Sequence, residues 1–408
     1  MNKNSIFSSA PILLPTFAAD PGKMGKWAVI ACDQFTSEPE YWEKCEKLTS
    51  GEVSALNAIM PEAYLGTPTE AKQLERIEKF TKNTDERMML EIDGYVYLER
   101  TLPNGDLRRG IVGKLDLDSY DYSPDSHSPV RATEATVVER IPPRAKIRAF
   151  SKAELPHILI LTDDGGELYD KCCEIAKKKT PVYDFDLMLG GGHVRGYALE
   201  GEDRSAVDSL VSHYENGKNG VVYAVGDGNH SLAAAKAHWE NLKKNGAPND
   251  HPARYALCEL TPLGDDSLVF EPIYRIVKNC DAGDLMNALF DESSDAADAD
   301  AQKVTVISCG EEKTLKLRPT HTLTVGTLQN IIDGYVKSHP GAVCDYIHGE
   351  NSVKKLAAEE KSVGFIFDGM DKNSLFPYVS EHGALPRKTF SMGEAESKRY
   401  YIEARLIR

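Results

Sequence analysis

The densest set of reactive side chains in this sequence is the run Gly226-Asp227-Gly228-Asn229-His230-Ser231. It follows the apolar stretch VVYAV and opens an alanine-rich segment, so a buried strand should pass directly into a helix. The two glycines permit a tight turn and a close backbone approach to a ligand. A helix starting there presents free N–H groups and partial positive charge, a natural seat for phosphate or carboxylate. Asp227 and His230 would supply acid–base groups, Gly228 and Asn229 backbone and amide contacts, and Ser231 a hydroxyl. The same residues also suit a plain strand-to-helix turn, with glycine for geometry and Asn or Ser as the N-cap. Spacing fits both; Asp and His flanking the glycine tip the reading toward ligand chemistry.

A second polar segment runs from Arg131 through Thr133, Glu134 and Thr136 to Arg140, Arg144 and Arg148. Arginines at this density could clamp an anion bidentately, with Glu134 a base beside them. A solvent-facing, salt-bridged loop is the alternative. The run Leu385-Pro386-Arg387-Lys388-Thr389-Phe390-Ser391-Met392-Gly393 offers Lys388 as a phosphate contact, or a basic turn before the last strand. Gly190-Gly191-Gly192-His193-Val194-Arg195-Gly196 looks phosphate-loop-like but lacks G-x-x-x-x-G-K-S/T and a following helix, so it reads as a turn in which Arg195 is the residue to test. The sequence holds no H-E-x-x-H, C-x-x-C or G-x-S-x-G, and no glycine fingerprint after a first strand. Transition-metal, hydrolase-elbow and Rossmann readings therefore have no support.

The elements that must position these groups alternate along the chain. An apolar run at 26–32 reads as a strand ended by Asp33, with helical periodicity at about 40–59 and 67–81. MLEIDGYVYLERTL, Pro103-Asn104-Gly105-Asp106 and LRRGIVGKLDL read as a β-hairpin with an Asn-Gly turn. Residues 120–146 have no clean period. Strand HILILTDD, helix ELYDKCCEIAKKK, a helix near 203–215, strand 220–225 and a helix at about 231–244 follow, and then strands at 253–260 and 267–277. Asp291–Asp300 is acidic and turn-rich, a solvated loop or domain junction. Strands at 303–308, 313–317 and 362–368, a helix at 325–337 and a last strand RYYIEARLI end the chain. The expectation is a mixed α/β (α+β) protein of two or three lobes. The lobes would be 1–165, a central 166–290 carrying the glycine turn, and 291–408.

Composition bounds the partners. Of 408 residues, 48 are basic and 63 acidic, a formal charge of −15. That disfavours coating of nucleic acid. The eight cysteines form no C-x-x-C pair, which fits a reducing cytosol. The apolar patch Pro11–Ala19 is interrupted by prolines, and no stretch nears the ~20 apolar residues of a membrane helix. Cytoplasmic and not membrane-bound is the expectation.

Over nearly its full length the chain resembles the bacterial and archaeal family known as domain of unknown function 1015. Five stretches carry the likeness in order: the early strand ending at Asp33, Arg131–Arg144, the GDGNHS turn, Asp345-Tyr346-Ile347-His348-Gly349, and LPRKTFSMG. The resemblance implies function at Arg131, Glu134, Arg144 and Lys388. The turn itself resembles the D-G-H-H-R signature of free serine kinases in the ParB/sulfiredoxin-like superfamily, which implies a central strand-turn-helix unit of that type. Asp227, Gly228 and His230 match; Asn229 replaces the first His and Ser231 the Arg. Phosphate charge would then have to come from Arg131, Arg144, Arg195 or Lys388.

These readings together imply a small-molecule phosphoryl-transfer enzyme, phosphatase or nucleotide-dependent kinase, with phosphoserine and serine the first pair to try. Asp227 would be Mg²⁺ ligand or general base, His230 general acid–base, Glu134 a second base, and ADP or ATP the nucleotide. The alternative is a non-enzymatic binder of an anionic ligand, favoured by the missing arginine at 231.

Overall fold

The computed structural model describes residues 5–30, 35, 38–82, 90–291 and 300–408. The chain forms two compact units. The first takes in Met1–Leu268 with two returns, Leu375–Ala384 and Gly393–Arg408; the second takes in Val269–Ser374 and Leu385–Met392.

The first unit opens with β1 (Phe7–Ser8), β2 (Ala10–Leu14), α1 (Pro21–Trp27), α2 (Pro39–Thr49) and α3 (Thr69–Lys82). Next come β3 (Leu90–Thr101), β4 (Leu107–Asp116), β5 (Tyr120–Asp121), β6 (Val130–Ala132), α4 (Ile141–Phe150), β7 (Ala153–Glu154), β8 (Leu159–Thr162) and α5 (Glu167–Ala176). After them run β9 (Tyr183–Asp186), β10 (His193–Glu200), α6 (Glu202–Asn216), β11 (Tyr223–Asp227), α7 (Asn229–Lys244) and β12 (Tyr255–Pro262). One mixed sheet gathers the strands in the order β5-β6-β11-β8-β12-β4-β3-β10-β9, with β1 on β4 and β2 on β3.

The sheet explains why the sequence splits into two units and not three spans. Strands from 90–162 and from 183–262 alternate within it, so a boundary at 165 would cut through its hydrogen-bond ladder. One side is filled by Tyr95, Tyr223, Leu232 and Trp239, and the other by Trp27, Val96, Leu257 and Tyr400.

The hairpin forms as its alternating pattern dictates, with Arg100 opposite Arg108 and Gly105 at φ 93° in the turn. Two helices follow parallel neighbours: β6 and β11 run side by side in parallel, with Ala132 level with Val225. The 133–140 segment leading to α4 and the start of α7 therefore leave the same end of the sheet. Between the helices, Ile141 packs on Ala233 and Ala234, small residues that let the two approach closely.

The second unit contains β13 (Phe270–Lys278), α8 (Ala282–Asp291), β14 (Gln302–Ser308), β15 (Glu311–Leu317), α9 (Thr324–Ser338), β16 (Val343–His348), α10 (Glu350–Ala357) and β17 (Ser362–Phe367). After α11 (Leu375–His382), which belongs to the first unit, β18 (Phe390–Met392) returns to pair with β13. Its sheet runs β15-β14-β17-β13-β16. The last strand, β19 (Arg405–Leu406), joins β7 in the first unit.

Several expected elements differ. Residues 26–27 close helix α1, whose N-cap Asp20 accepts from the Lys23 N–H at 3.1 Å with Pro21 at its first position. Val29 then makes only an isolated bridge to Tyr401. Asp33 and most of the acidic 291–300 stretch lie outside the described residues. The helix expected at 40–59 stops at Thr49, and the one at 231–244 begins two residues earlier, at Asn229. RYYIEARLI is mostly irregular: its backbone makes isolated bridges from Tyr401 to Val29 and from Ala404 to Leu13, and only Arg405–Leu406 pairs as a strand. Among the described residues no helix is long and apolar enough to cross a membrane.

Candidate functional site

Tyr223, Ala224 and Val225 are fully buried, and the strand ends as Asp227 reaches the sheet margin opposite Leu159 of β8. Gly228 then turns at φ 81°, ψ 27°, the left-handed region, and α7 starts at the next residue. A side chain there would press on β8, since a Cβ would stand 3.1 Å from Ile158 Cγ1. Glycine is therefore required for both conformation and space. The N-cap residue Gly228 brings no side chain of its own to the first turn of α7.

Asp227 accepts the Gly228 N–H at 2.9 Å through Oδ1. Its Oδ2 stands 3.5 Å from the ammonium of Lys398. Asn229 is buried, and its Oδ1 has no hydrogen-bond partner among the described atoms. An orphaned buried carbonyl oxygen is costly unless a ligand, ion or water completes it. His230 Nε2 accepts the backbone N–H of Val137 at 3.2 Å, which ties the first turn of α7 to the segment after β6. That bond makes Nε2 the acceptor, so the ring proton of the neutral imidazole sits on Nδ1.

The 131–144 segment lies beside this turn. The Thr133 hydroxyl donates to the Val225 carbonyl at 2.6 Å, which sets Glu134 one residue beyond the joined strand ends. Arg131 is buried and donates to the carbonyls of Ser128 and Val379, both at 3.0 Å. Its burial, without a carboxylate on it, holds its pKa below the usual arginine range. Arg131 thus joins β6 to the 375–384 return. Arg144 lies in the first turn of α4 and donates to the Arg140 carbonyl at 2.9 Å.

Of the other basic candidates, Arg195 lies elsewhere in the first unit and Lys388 belongs to the second. Arg195 sits on β10, with β8, β12, β4 and β3 between it and β11, and donates to Asp184 at 3.0 Å. The glycine run before it is no phosphate loop: it is packed against an aromatic. A Cβ on Gly191 would lie 2.2 Å from Tyr400 Oη, and Tyr400 donates to the Met188 carbonyl at 2.8 Å. Lys388 belongs to the second unit. There buried Arg275 donates to the carbonyls of Lys388 at 3.0 Å and Arg387 at 2.9 Å and stacks on Tyr346, its guanidinium carbon 4.6 Å from the ring centre. The 345–349 and 385–393 stretches are thus joined through Arg275.

Reading the sequence alone misses the C-terminal run Lys398-Arg399-Tyr400-Tyr401. Lys398 meets Asp227. Arg399 donates to Glu259 and Glu403, each at 2.6 Å, and to the Pro156 carbonyl at 2.6 Å. Burial opposes its charge, but Glu403 and Glu259 more than offset it and raise its pKa. Tyr401 shares a 2.6 Å hydrogen bond with His157 Nδ1, one residue before the Ile158 that backs Gly228. The only signal in the sequence is the density of basic and aromatic residues in four positions. Among the described residues no cluster of three or more His, Cys, Asp or Glu could hold a metal ion.

Solved structures share the fold only distantly. A conserved hypothetical protein from Pyrococcus furiosus aligns over 70% of this chain and 92% of its own at 13% identity, with a TM-score of 0.37. Free serine kinase in complex with AMP aligns over 71% and 90% at 13% identity, with a TM-score of 0.40. SbnI with C-terminal truncation, from Staphylococcus aureus, aligns over 69% and 82% at 10% identity and 0.37. At these values the likeness says nothing about activity. No curated protein matches the chain. The family model described as protein of unknown function (DUF1015) matches residues 13–342, so the chain belongs to that family.

Proposed function

We propose that the protein transfers a phosphoryl group of a small phosphorylated metabolite, with phosphoserine and serine as the first pair to test. One observation carries the reading: β11 delivers a carboxylate, a left-handed glycine N-cap and a helix start in three successive residues, and the next side chain oxygen is buried without a partner among the described atoms. Phosphoryl transfer needs positioning and charge neutralisation more than covalent chemistry. The N–H groups at the start of α7 would take phosphate oxygens. Gly228 lets the backbone come close, while Asn229 and Ser231 would orient the ligand.

In this reading Asp227 or Glu134 accepts the proton of the attacking water and passes one to the leaving serine oxygen, to which the His230 ring proton hydrogen-bonds. Because Nε2 accepts from Val137, Nδ1 is the nitrogen that carries that proton. With water as acceptor the phosphorus–oxygen bond to serine breaks, inorganic phosphate forms, and the serine oxygen gains a proton. With a nucleoside phosphate as acceptor, the phosphoryl group passes to it and serine is released. Asp227 and the orphaned Asn229 Oδ1 fit a Mg²⁺ arriving with a polyphosphate; they would hold it, and it would neutralise charge on the phosphate oxygens. The protein would act in the cytoplasm on soluble ligands, not on nucleic acid.

A non-enzymatic binder of the same anionic ligand is the second reading. It is favoured by Ser231 in place of the signature arginine and by the engagement of Arg131 with two carbonyls. The deciding experiment uses purified protein, Mg²⁺ and phosphoserine, alone and with AMP or ADP, following free phosphate and serine beside Asp227→Asn. Free phosphate with serine, lost in the variant, means a phosphatase; serine only with nucleotide means a kinase run in reverse. A melting shift with phosphoserine but no turnover means a binder. No turnover and no shift would sink both.

A further inference from the structure

The signature arginine that Ser231 replaces leaves the turn without its own cation. We infer that Lys398 is the phosphate-binding cation of this site, and that Arg100 and Arg108 are the residues that position it. The inference rests on the phosphoryl-transfer reading for its chemistry, but its geometry stands independently.

Three successive carbonyls just before the Lys398 side chain are held by two buried guanidinium groups. Arg100 donates to the carbonyls of Glu396 (2.5 Å), Ser397 (3.1 Å) and Lys398 (2.5 Å), and twice to Gly191 (2.9 and 3.3 Å). Arg108 adds a 2.8 Å bond to the Ser397 carbonyl. Both arginines are almost wholly inaccessible, at 2% and 3% exposure. They sit directly opposite each other across the hairpin, a like-charge pairing that disfavours the sheet.

Of the two arginines only Arg108 meets a carboxylate among the described residues, and that ion pair is loose. Arg108 Nε is 3.6 Å from Glu259 Oε1 and makes no hydrogen bond, while Arg100 donates to carbonyls and lies over the Tyr400 ring, its guanidinium carbon 5.1 Å from the ring centre. Burial first, and the neighbouring charge of Arg108 after it, together pull the Arg100 pKa down to about 9. Two buried like charges held mainly by carbonyls are a costly way to build a core. Hydrophobic residues would fill the space at less cost.

What the arrangement does achieve is a fixed backbone at 396–398. With that backbone held, the Lys398 side chain, 9% exposed, reaches Asp227 with its ammonium 3.5 Å from Oδ2. The contact is an ion pair of loose length, so a phosphate oxygen can take an ammonium N–H while Asp227 keeps the Gly228 N–H. Lysine serves phosphate as a point charge where arginine would need a planar fork. The lysine therefore supplies from the C-terminal segment the charge that position 231 lacks.

The test reads phosphoserine affinity and Lys398 itself. Lys398→Met should raise the KM or Kd for phosphoserine about tenfold or more, with a smaller change in kcat. An unchanged constant overturns the role of Lys398. The positioning role is read by acylating the folded protein and following Lys398 by mass spectrometry against Lys82, which is 70% exposed. Lys398 should react far more slowly than Lys82 in the wild-type protein. Arg108→Lys and Arg100→Lys keep the charge but lose the fork; each should raise the Lys398 rate several-fold, leave the Lys82 rate unchanged, and weaken phosphoserine binding.

The double variant Arg108→Lys/Lys398→Met should be no worse than Lys398→Met alone, because the two act through one group. Additive losses, or a Lys398 rate unmoved by both arginine variants, overturn the positioning role. Should the wild-type protein neither bind nor turn over phosphoserine, the phosphoryl reading fails, while the acylation rates still decide the clamp.

Discussion

The Thr133 hydroxyl donates to the Val225 carbonyl at 2.6 Å, a buried bond that fastens the exit of β6 to the exit of β11. It sets the spacing between Glu134 and the Asp227 turn, which come from parts of the chain about ninety residues apart. Thr133→Val keeps the shape and removes the donor, and should cost about 1–2 kcal/mol of stability. It should also lower kcat/KM, because Glu134 loses its tether. Thr133→Ser should recover most of both. Denaturant unfolding beside the phosphoserine assay reads the two effects; a Val variant with full stability and full activity would show that the bond positions nothing.

Gly228 tests the turn itself. Alanine at φ 81° is strained, and its Cβ would press on Ile158 at 3.1 Å. Gly228→Ala should therefore lose about 1–2 kcal/mol and distort the start of α7. Asn tolerates the left-handed region better than alanine, so Gly228→Asn should lose less through backbone strain. Activity should fall in both, since either side chain fills the space where the backbone is proposed to meet phosphate. Activity kept at the wild-type level in Gly228→Ala would remove the turn from the ligand site.

What the sequence disclosed depended on range. The hairpin of β3 and β4 and the strand-turn-helix at 223–244 are written in local alternation and glycine placement, and both form as expected. The strand expected at 26–32 failed because a short apolar run looks alike in a strand and at a helix end. The better local signal was the Asp20 cap with Pro21 after it. The geometry of the glycine turn was legible, but its companions were not. Arg100 meets Ser397 from 297 residues away, and no periodicity or motif encodes such a pairing. The same holds at Arg131, whose carbonyl partner Val379 stands 248 positions away and is announced by no local pattern.

The glycine run at 190–192 gives a prediction that separates packing from ligand contact. If its role is to admit Tyr400, Gly191→Ala should lower the melting temperature strongly, since the added Cβ would lie 2.2 Å from Tyr400 Oη. Arg195→Ala, by contrast, removes an exposed group paired with Asp184 and should leave stability within about 0.5 kcal/mol. Its phosphoserine kinetics should match the wild type. A large loss of activity in Arg195→Ala with an unchanged melting temperature would return this run to the ligand site.

The response to acid should trace in part to His238 on α7. Burial, with Arg148, Arg408 and His251 adding positive charge nearby, lowers its pKa from 6.5 to about 4. The unfolded chain therefore takes up a proton near pH 6.5, whereas the folded protein resists until about pH 4. In that window the unfolded state binds more protons, so stability rises with pH and is lost as pH falls from 6.5 toward 4. His238→Gln has no such titration and should flatten this part of the profile. Denaturant midpoints for both proteins at about pH 7 and about pH 5 read the difference. The wild type should lose more stability than the variant over that interval; parallel losses would mean that His238 titrates alike in the folded and unfolded chains.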